Sequence, residues 1–100
     1  MKILITGSAG FIGFFLAKAL LAQGDSVVGI DNLNDYYDPV LKRSRLQDLE
    51  QFVQVQQASQ RYTFIQMDMA DRVGMVQLFE DHAFDAVVNL GAQAGGAVFD

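Results

Sequence analysis

Ile3-Leu4-Ile5-Thr6-Gly7-Ser8-Ala9-Gly10-Phe11-Ile12-Gly13 runs an apolar stretch into a glycine-rich turn, and an apolar segment of helical period follows at once. That order is strand, turn, helix. The three glycines stand three apart, and each answers a different steric demand. Gly7 permits a tight exit from the strand, Gly10 lets the backbone approach a pyrophosphate, and Gly13 lets the helix pack closely on the strand. Unpaired N–H groups at the helix start then face the phosphates.

A glycine triplet by itself is weak evidence, so its surroundings decide its meaning. Ile12, Phe15, Leu16, Ala19 and Gln23 fall on the i, i+3, i+4, i+7, i+11 ladder of one helix face, and Gly24 stands where a helix should end. Ser26-Val27-Val28-Gly29-Ile30 reads as a second, buried parallel strand that delivers Asp31 to its C-terminal end, eighteen residues after Gly13. An acid at that distance accepts hydrogen bonds from the ribose hydroxyls of an adenosine. A secretory leader fits this stretch poorly, because Thr6-Gly7-Ser8 interrupts the apolar core and Lys18 lies inside the only cleavage-like motif, Ala17-Lys18-Ala19.

Composition narrows the remaining classes. One hundred residues make a single domain at most, and 51% of them are hydrophobic. Seven basic against twelve acidic residues give a net charge of −5 with no clustered cationic face, which argues against a nucleic-acid partner. The absence of cysteine removes disulfides, zinc thiolates and a thiol nucleophile, and fits a cytoplasmic protein. With one histidine, His82, no metal site is expected; His82 reads as a solvated loop residue. No membrane association is expected either.

The alternation continues. Asp38-Pro39 supplies a helix cap and a first-turn proline, opening a helix from Pro39 to near Ser59 whose apolar face is Leu41, Leu46, Leu49, Phe52 and Val53. The glutamines at 47, 51, 54, 56, 57 and 60 read as its solvated side. Tyr62–Met67 forms a third strand ending at Asp68; Asp71 caps a third helix containing Met75, Leu78 and Phe79; Phe84–Leu90 forms a fourth strand. The unit is βαβαβαβ. Right-handed crossovers order its strands 3-2-1-4, an incomplete Rossmann-like, doubly wound α/β sheet. Gly7, Asp31, Asp68 and Gly91 then gather at one edge, beside strand 1.

Thr6-Gly-x-x-Gly-Phe-Ile-Gly13, Asp31-Asn32-Leu33-Asn34-Asp35-Tyr36-Tyr37-Asp38-Pro39, Asp68 and Asn89-Leu-Gly-Ala-Gln-Ala-Gly95 resemble the N-terminal part of extended short-chain dehydrogenase/reductases, and among them the UDP-glucuronate 4-epimerases of the NAD-dependent epimerase/dehydratase family. The resemblance covers residues 1–95, leaving 96–100 as a divergent tail with no substrate domain. It implies NAD as cofactor: Gly7, Gly10, Phe11, Ile12 and Gly13 around the pyrophosphate, Asp31 and Asn32 on the adenosine ribose, Asp68 and Met69 beside adenine, and Leu90, Gly91 and Ala92 as the wall after strand four. Gly91 departs from the family's usual Leu-Ala-Ala, and Phe15 occupies a position that is commonly polar. NAD is expected over NADP, since a 2′-phosphate about 4 Å from Asp31 costs on the order of 4 kcal/mol at a surface-like dielectric.

The family's chemistry depends on a Ser/Thr and a Tyr-x-x-x-Lys pair, whose tyrosinate deprotonates the sugar 4-hydroxyl while NAD takes, then returns, the C4 hydride. No such pair occurs among these residues; Lys42 is not four positions after Tyr36 or Tyr37. The chain alone is therefore expected to hold no catalytic residue and to be inactive on UDP-sugars. It is also expected to self-associate through an unpaired fourth strand, although the intact family is commonly homodimeric. A nucleotide-sugar dehydratase or reductase, or a non-catalytic dinucleotide-binding product, remains an alternative to the epimerase.

Overall fold

The computed structural model describes residues 1–33 and 39–90, with Pro39 placed by its backbone alone. The elements are β1 (Lys2–Thr6), α1 (Phe11–Ala22), β2 (Ser26–Asp31), α2 (Pro39–Val55), a short 3-10 turn (Ser59–Arg61), β3 (Tyr62–Gln66), α3 (Arg72–Asp81) and β4 (Ala86–Asn89). The four strands are parallel in the order β3-β2-β1-β4, as the sequence predicts.

A strand buried on both faces reads as a continuous apolar run, and β1 and β2 show it. Ile3, Ile5 and Val27 face α1 and α2, where they meet Phe14, Ala17, Leu21, Leu49 and Val53. Leu4, Val28 and Ile30 face the other way, onto Leu78 of α3, with Ile65, Met67, Met69, Met75 and Phe84 packed around them. Each fully buried Leu, Ile or Val contributes about 1.5–3 kcal/mol, so the two central strands organise both layers.

The face of α1 differs from the ladder expected from sequence. Gly13, Phe14, Ala17 and Leu21 are buried, whereas Phe11, Ile12 and Phe15 are 63%, 63% and 53% exposed. Its sequence is apolar nearly all round, so periodicity cannot choose a face; the rotation is set by Gly13, which must point at the turn. Phe15 therefore sits on the outer side, in edge-to-face contact with Phe11 and Phe14.

The end of α1 agrees with expectation. Gly24 has φ +101°, its N–H bonds to the Leu21 carbonyl, and the Asp25 N–H reaches back to that of Leu20. This six-to-one closure favours glycine because an L side chain is strained at that φ. The Arg61 guanidinium, from the 3-10 turn, adds hydrogen bonds to the Leu21 and Asp25 carbonyls at 3.2 and 2.7 Å.

α2 stops at Val55, short of the expected Ser59, and Leu41 is 47% exposed rather than part of the core. The glutamines at 47, 51, 54, 56, 57 and 60 are all exposed. Asp71 caps α3, accepting from the Gly74 N–H at 3.0 Å. Phe79 is 47% exposed but meets Phe84 edge to face. His82 is not a solvated loop residue. Its ring is half-buried and stacks on Phe84 with centroids 5.4 Å apart. Among the described residues no helix is long and apolar enough to cross a membrane.

Tyr62, at the start of β3, carries a buried hydroxyl with no hydrogen-bond partner among the described residues. Burial, and secondarily the Glu50 charge, push its phenol up to about 12 from the ordinary 10.0. Because the folded state holds this proton more tightly than the unfolded chain, the contribution is intact below pH 10 and is lost as pH rises toward 12. Tyr62→Phe should therefore be neutral or stabilising at pH 8 and should gain further on the parent protein at pH 11, by denaturant titration at the two pH values. A variant that loses stability equally at both would show that the hydroxyl has a partner.

Candidate nucleotide-binding edge

The C-terminal ends of the strands line up, Thr6 beside Ile30 on one side and beside Asn89 on the other, with Asp31 beside Gln66. Open parallel sheets bind ligands at this edge, outside the strand ends. The glycine turn leaves β1 here. Gly7 takes φ +70°, and both its N–H and that of Ser8 donate to the Ile30 carbonyl, at 2.9 and 3.1 Å. Thr6 donates its hydroxyl to the Asn89 side-chain carbonyl, joining the ends of β1 and β4.

Gly13 packs against the turn itself, more than against the strand. A Cβ there would lie 2.5 Å from the Gly7 oxygen and 2.8 Å from the Ser8 Cα, both backbone atoms that cannot move aside cheaply. Gly10 is the N-cap of α1, extended, with no side-chain cap. A Cβ on it would meet only the Gly7 oxygen, at 3.2 Å. The Gly10 N–H donates to that same oxygen, and the Phe14 N–H closes the first helical turn onto Gly10. The N–H groups of Phe11, Ile12 and Gly13 are left without a protein acceptor among the described residues. Three such amides at a helix start, with the helix dipole behind them, suit an anion.

Asp31 is buried, at 5% exposure, and ties three elements together. Its Oδ2 accepts from the Ala9 N–H of the glycine turn at 3.1 Å. Its Oδ1 accepts from the Leu33 N–H at 2.8 Å and from Lys42 Nζ, on α2, at 3.0 Å. A carboxylate has about four acceptor positions, and among the described residues no donor fills the second one on Oδ2. Asn32 is exposed and reaches Asp68 Oδ2 at 3.4 Å, which brings the ends of β2 and β3 together. Asp68 also accepts from the Ala70 N–H at 2.9 Å, and Met69 is half-buried against the Leu4 and Val28 side of the core. Leu90 donates its N–H to the Thr6 carbonyl at 3.1 Å and packs on the α1 side. Gly91 and Ala92 lie outside the described residues, as do residues 34–38.

Ten of the twelve residues singled out from sequence are therefore described, and all ten lie on the glycine turn, the first turn of α1 or the segments that leave β2, β3 and β4. Besides the ion pair of Lys42 with Asp31, sequence reading missed two partners. Arg45 donates from Nη1 to the Ala9 carbonyl at 3.1 Å and places its guanidinium 5.9 Å from the Phe11 ring. Ser8 is fully buried, and its side chain occupies the space beside Gly29 on β2, where a Cβ would come within 2.5 Å of Ser8 Oγ. The glycine inside β2 was the available signal, since glycine in a strand interior marks a close approach.

A profile of the GDP-mannose 4,6-dehydratase family matches residues 4–97. The chain belongs to this family. It is 47% identical over 96 residues to the uncharacterized protein MJ1055 of Methanocaldococcus jannaschii, covering 94% of this chain and 27% of that protein. It is 40% identical over 92 residues to a UDP-glucuronate 4-epimerase of Thermodesulfobacterium geofontis, covering 92% of this chain and 26% of that enzyme. Among solved structures, the UDP-glucuronic acid 4-epimerase of Bacillus cereus in complex with NAD superposes with a TM-score of 0.76 at 37% identity, over 97% of this chain and 29% of the other. The chain thus spans about a quarter of the length of the relatives it matches. The similarity falls on their N-terminal, Rossmann-like portion, where this family member carries its glycine turn.

The packing of Ser8 on Gly29 leads to a double-variant test. Gly29→Ala should lower stability by about 1–3 kcal/mol, the usual cost of overpacking. Adding Ser8→Gly should return much of that loss, because it removes both atoms the new methyl would strike. Thermal or denaturant melts of the two single variants and the pair measure the coupling; additive losses would mean that the two sites do not touch.

Proposed function

We propose that this chain is the NAD-binding, N-terminal portion of a nucleotide-sugar 4-epimerase acting on a UDP-glucuronate-like substrate, with residues 1–95 as the cofactor-binding part. The observation that carries the reading is the set of three amides, of Phe11, Ile12 and Gly13, that have no acceptor among the described residues and lie beside the glycine turn, with the buried Asp31 carboxylate fastened to that same turn. The amides supply donors for a pyrophosphate, and the Oδ2 position that no described residue fills supplies an acceptor for a ribose hydroxyl. Asn32, Asp68 and Met69 lie at the adjoining strand ends and are proposed to flank ribose and adenine; Leu90, Gly91 and Ala92 are proposed as the wall beyond β4.

When bound, NAD supplies reversible oxidation at the sugar C4. The residues of this chain bind and orient the cofactor and take no part in moving the proton, for which the resemblance points to a Tyr-x-x-x-Lys pair absent from the sequence. The full activity, the UDP-sugar, the homodimeric assembly common in the family and a cytoplasmic location are all part of the proposal, the last resting on the cysteine-free composition. NAD-bound and UDP-sugar-bound relatives support it, including a UDP-glucose 4-epimerase of Bifidobacterium longum in complex with NAD⁺ and UDP.

Calorimetric titration with NAD tests the reading, with Gly10→Val as the informative variant. Gly10 is extended, and a Cβ would meet one protein atom, the Gly7 oxygen at 3.2 Å, a tight contact that a shift of a few tenths of an ångström relieves, so helical content by circular dichroism should hold. A branched side chain should fill the approach to the three amides and weaken NAD binding by at least about a hundredfold, the loss of several charge-assisted hydrogen bonds. Unchanged affinity in a folded Gly10→Val would place the nucleotide elsewhere.

A further inference from the structure

We propose that Lys42 sets how strongly this site discriminates between a ribose with a free 2′-hydroxyl and one carrying a 2′-phosphate, an inference that rests on the dinucleotide reading above. An uncompensated Asp31 would repel a 2′-phosphate by its charge alone. It is not uncompensated. Lys42 Nζ sits 3.0 Å from Oδ1, with the two side chains 16% and 3% exposed, so the acid and the base form an ion pair of zero net charge largely out of water. The phosphate would meet a dipole with a cation within reach, not an isolated anion.

The pair is held in place by its neighbours. Arg45 stands three residues after Lys42, on the same side of α2, and its hydrogen bond to the Ala9 carbonyl fixes that side against the glycine turn. The Ala9 peptide is gripped from both ends, its N–H by Asp31 and its carbonyl by Arg45. Lys42 thus extends from a fixed point on α2 to a fixed carboxylate. Among the described residues the other carboxylate at this edge is Asp68, exposed and linked through Asn32. It adds negative potential that Lys42 offsets.

The probes are ADP-ribose and 2′-phospho-ADP-ribose, which carry the ribose in question without the nicotinamide, titrated into the full chain at low and at high salt. In Lys42→Gln the preference for ADP-ribose over its 2′-phosphate should rise about tenfold, and the rise should shrink at high salt as screening takes over. Lys42→Arg should keep the parent preference. Asp31→Asn should move it the other way, because Lys42 is then left to the phosphate. A Lys42→Gln variant that weakens both ligands equally would overturn the proposal and leave Lys42 as a packing and anchoring residue. Should that variant fail to fold, an Asp31→Asn preference equal to the parent's would overturn it instead. If the parent protein binds neither probe, the dinucleotide reading itself fails, an outcome distinct from an unchanged ratio.

Discussion

The close approach of α1 to the glycine turn is the constraint on which the remaining arrangement depends. With no Cβ at Gly13, the helix lies against the Gly7 and Ser8 backbone at a distance that no other residue permits. That contact decides the rotation of α1. It turns Phe14, Ala17 and Leu21 into the core, leaves Phe11, Ile12 and Phe15 outside, and stations at the strand edge three amides that find no acceptor among the described residues. Packing and site formation are one event here, because the glycine that seats the helix also aims its N-terminus.

Asp31 performs the complementary task from β2. A buried carboxylate is tolerated when it is paired and hydrogen-bonded, and this one draws donors from the turn, from the chain just beyond β2 and from α2. The arrangement makes the acid a structural knot as well as a candidate ribose ligand. Its dependence on Lys42 couples the electrostatics of the edge to the position of α2, which Arg45 secures by binding the Ala9 carbonyl. The candidate ribose acceptor and the docking of one helix are therefore linked through a single peptide unit.

The two faces of the sheet differ in the help they receive. On the α1 and α2 side a continuous apolar cluster is closed by Leu49, Val53 and Ala58, with the Lys18 ammonium 4.9 and 5.3 Å from the Phe14 and Phe52 rings. On the α3 side the cluster is smaller, and Val73, Val76, Phe79 and Val87 keep large exposed areas. The candidate nucleotide-binding edge is built mainly by the better-packed half, through β1, α1, β2 and α2, which suits a site that needs fixed donors.

Strand order, element order and the identity of the turn follow from local chemistry, and so they were legible in the sequence. Apolar runs bounded by glycines and acids mark strands buried on both sides, a glycine at the end of α1 marks its closure, and right-handed crossovers leave one strand order. Asp31 was legible for the same reason, as an acid at a fixed distance from a glycine turn. The buried face of α1 was not, because a helix apolar on nearly every side contains no periodic signal, and only the Gly13 contact selects a rotation. Neither was the pairing of Lys42 with Asp31, of Arg45 with the Ala9 carbonyl, or of Ser8 with Gly29. These contacts join residues 11, 36 and 21 positions apart, and they exist only once the sheet register and the docking of α2 bring the elements together.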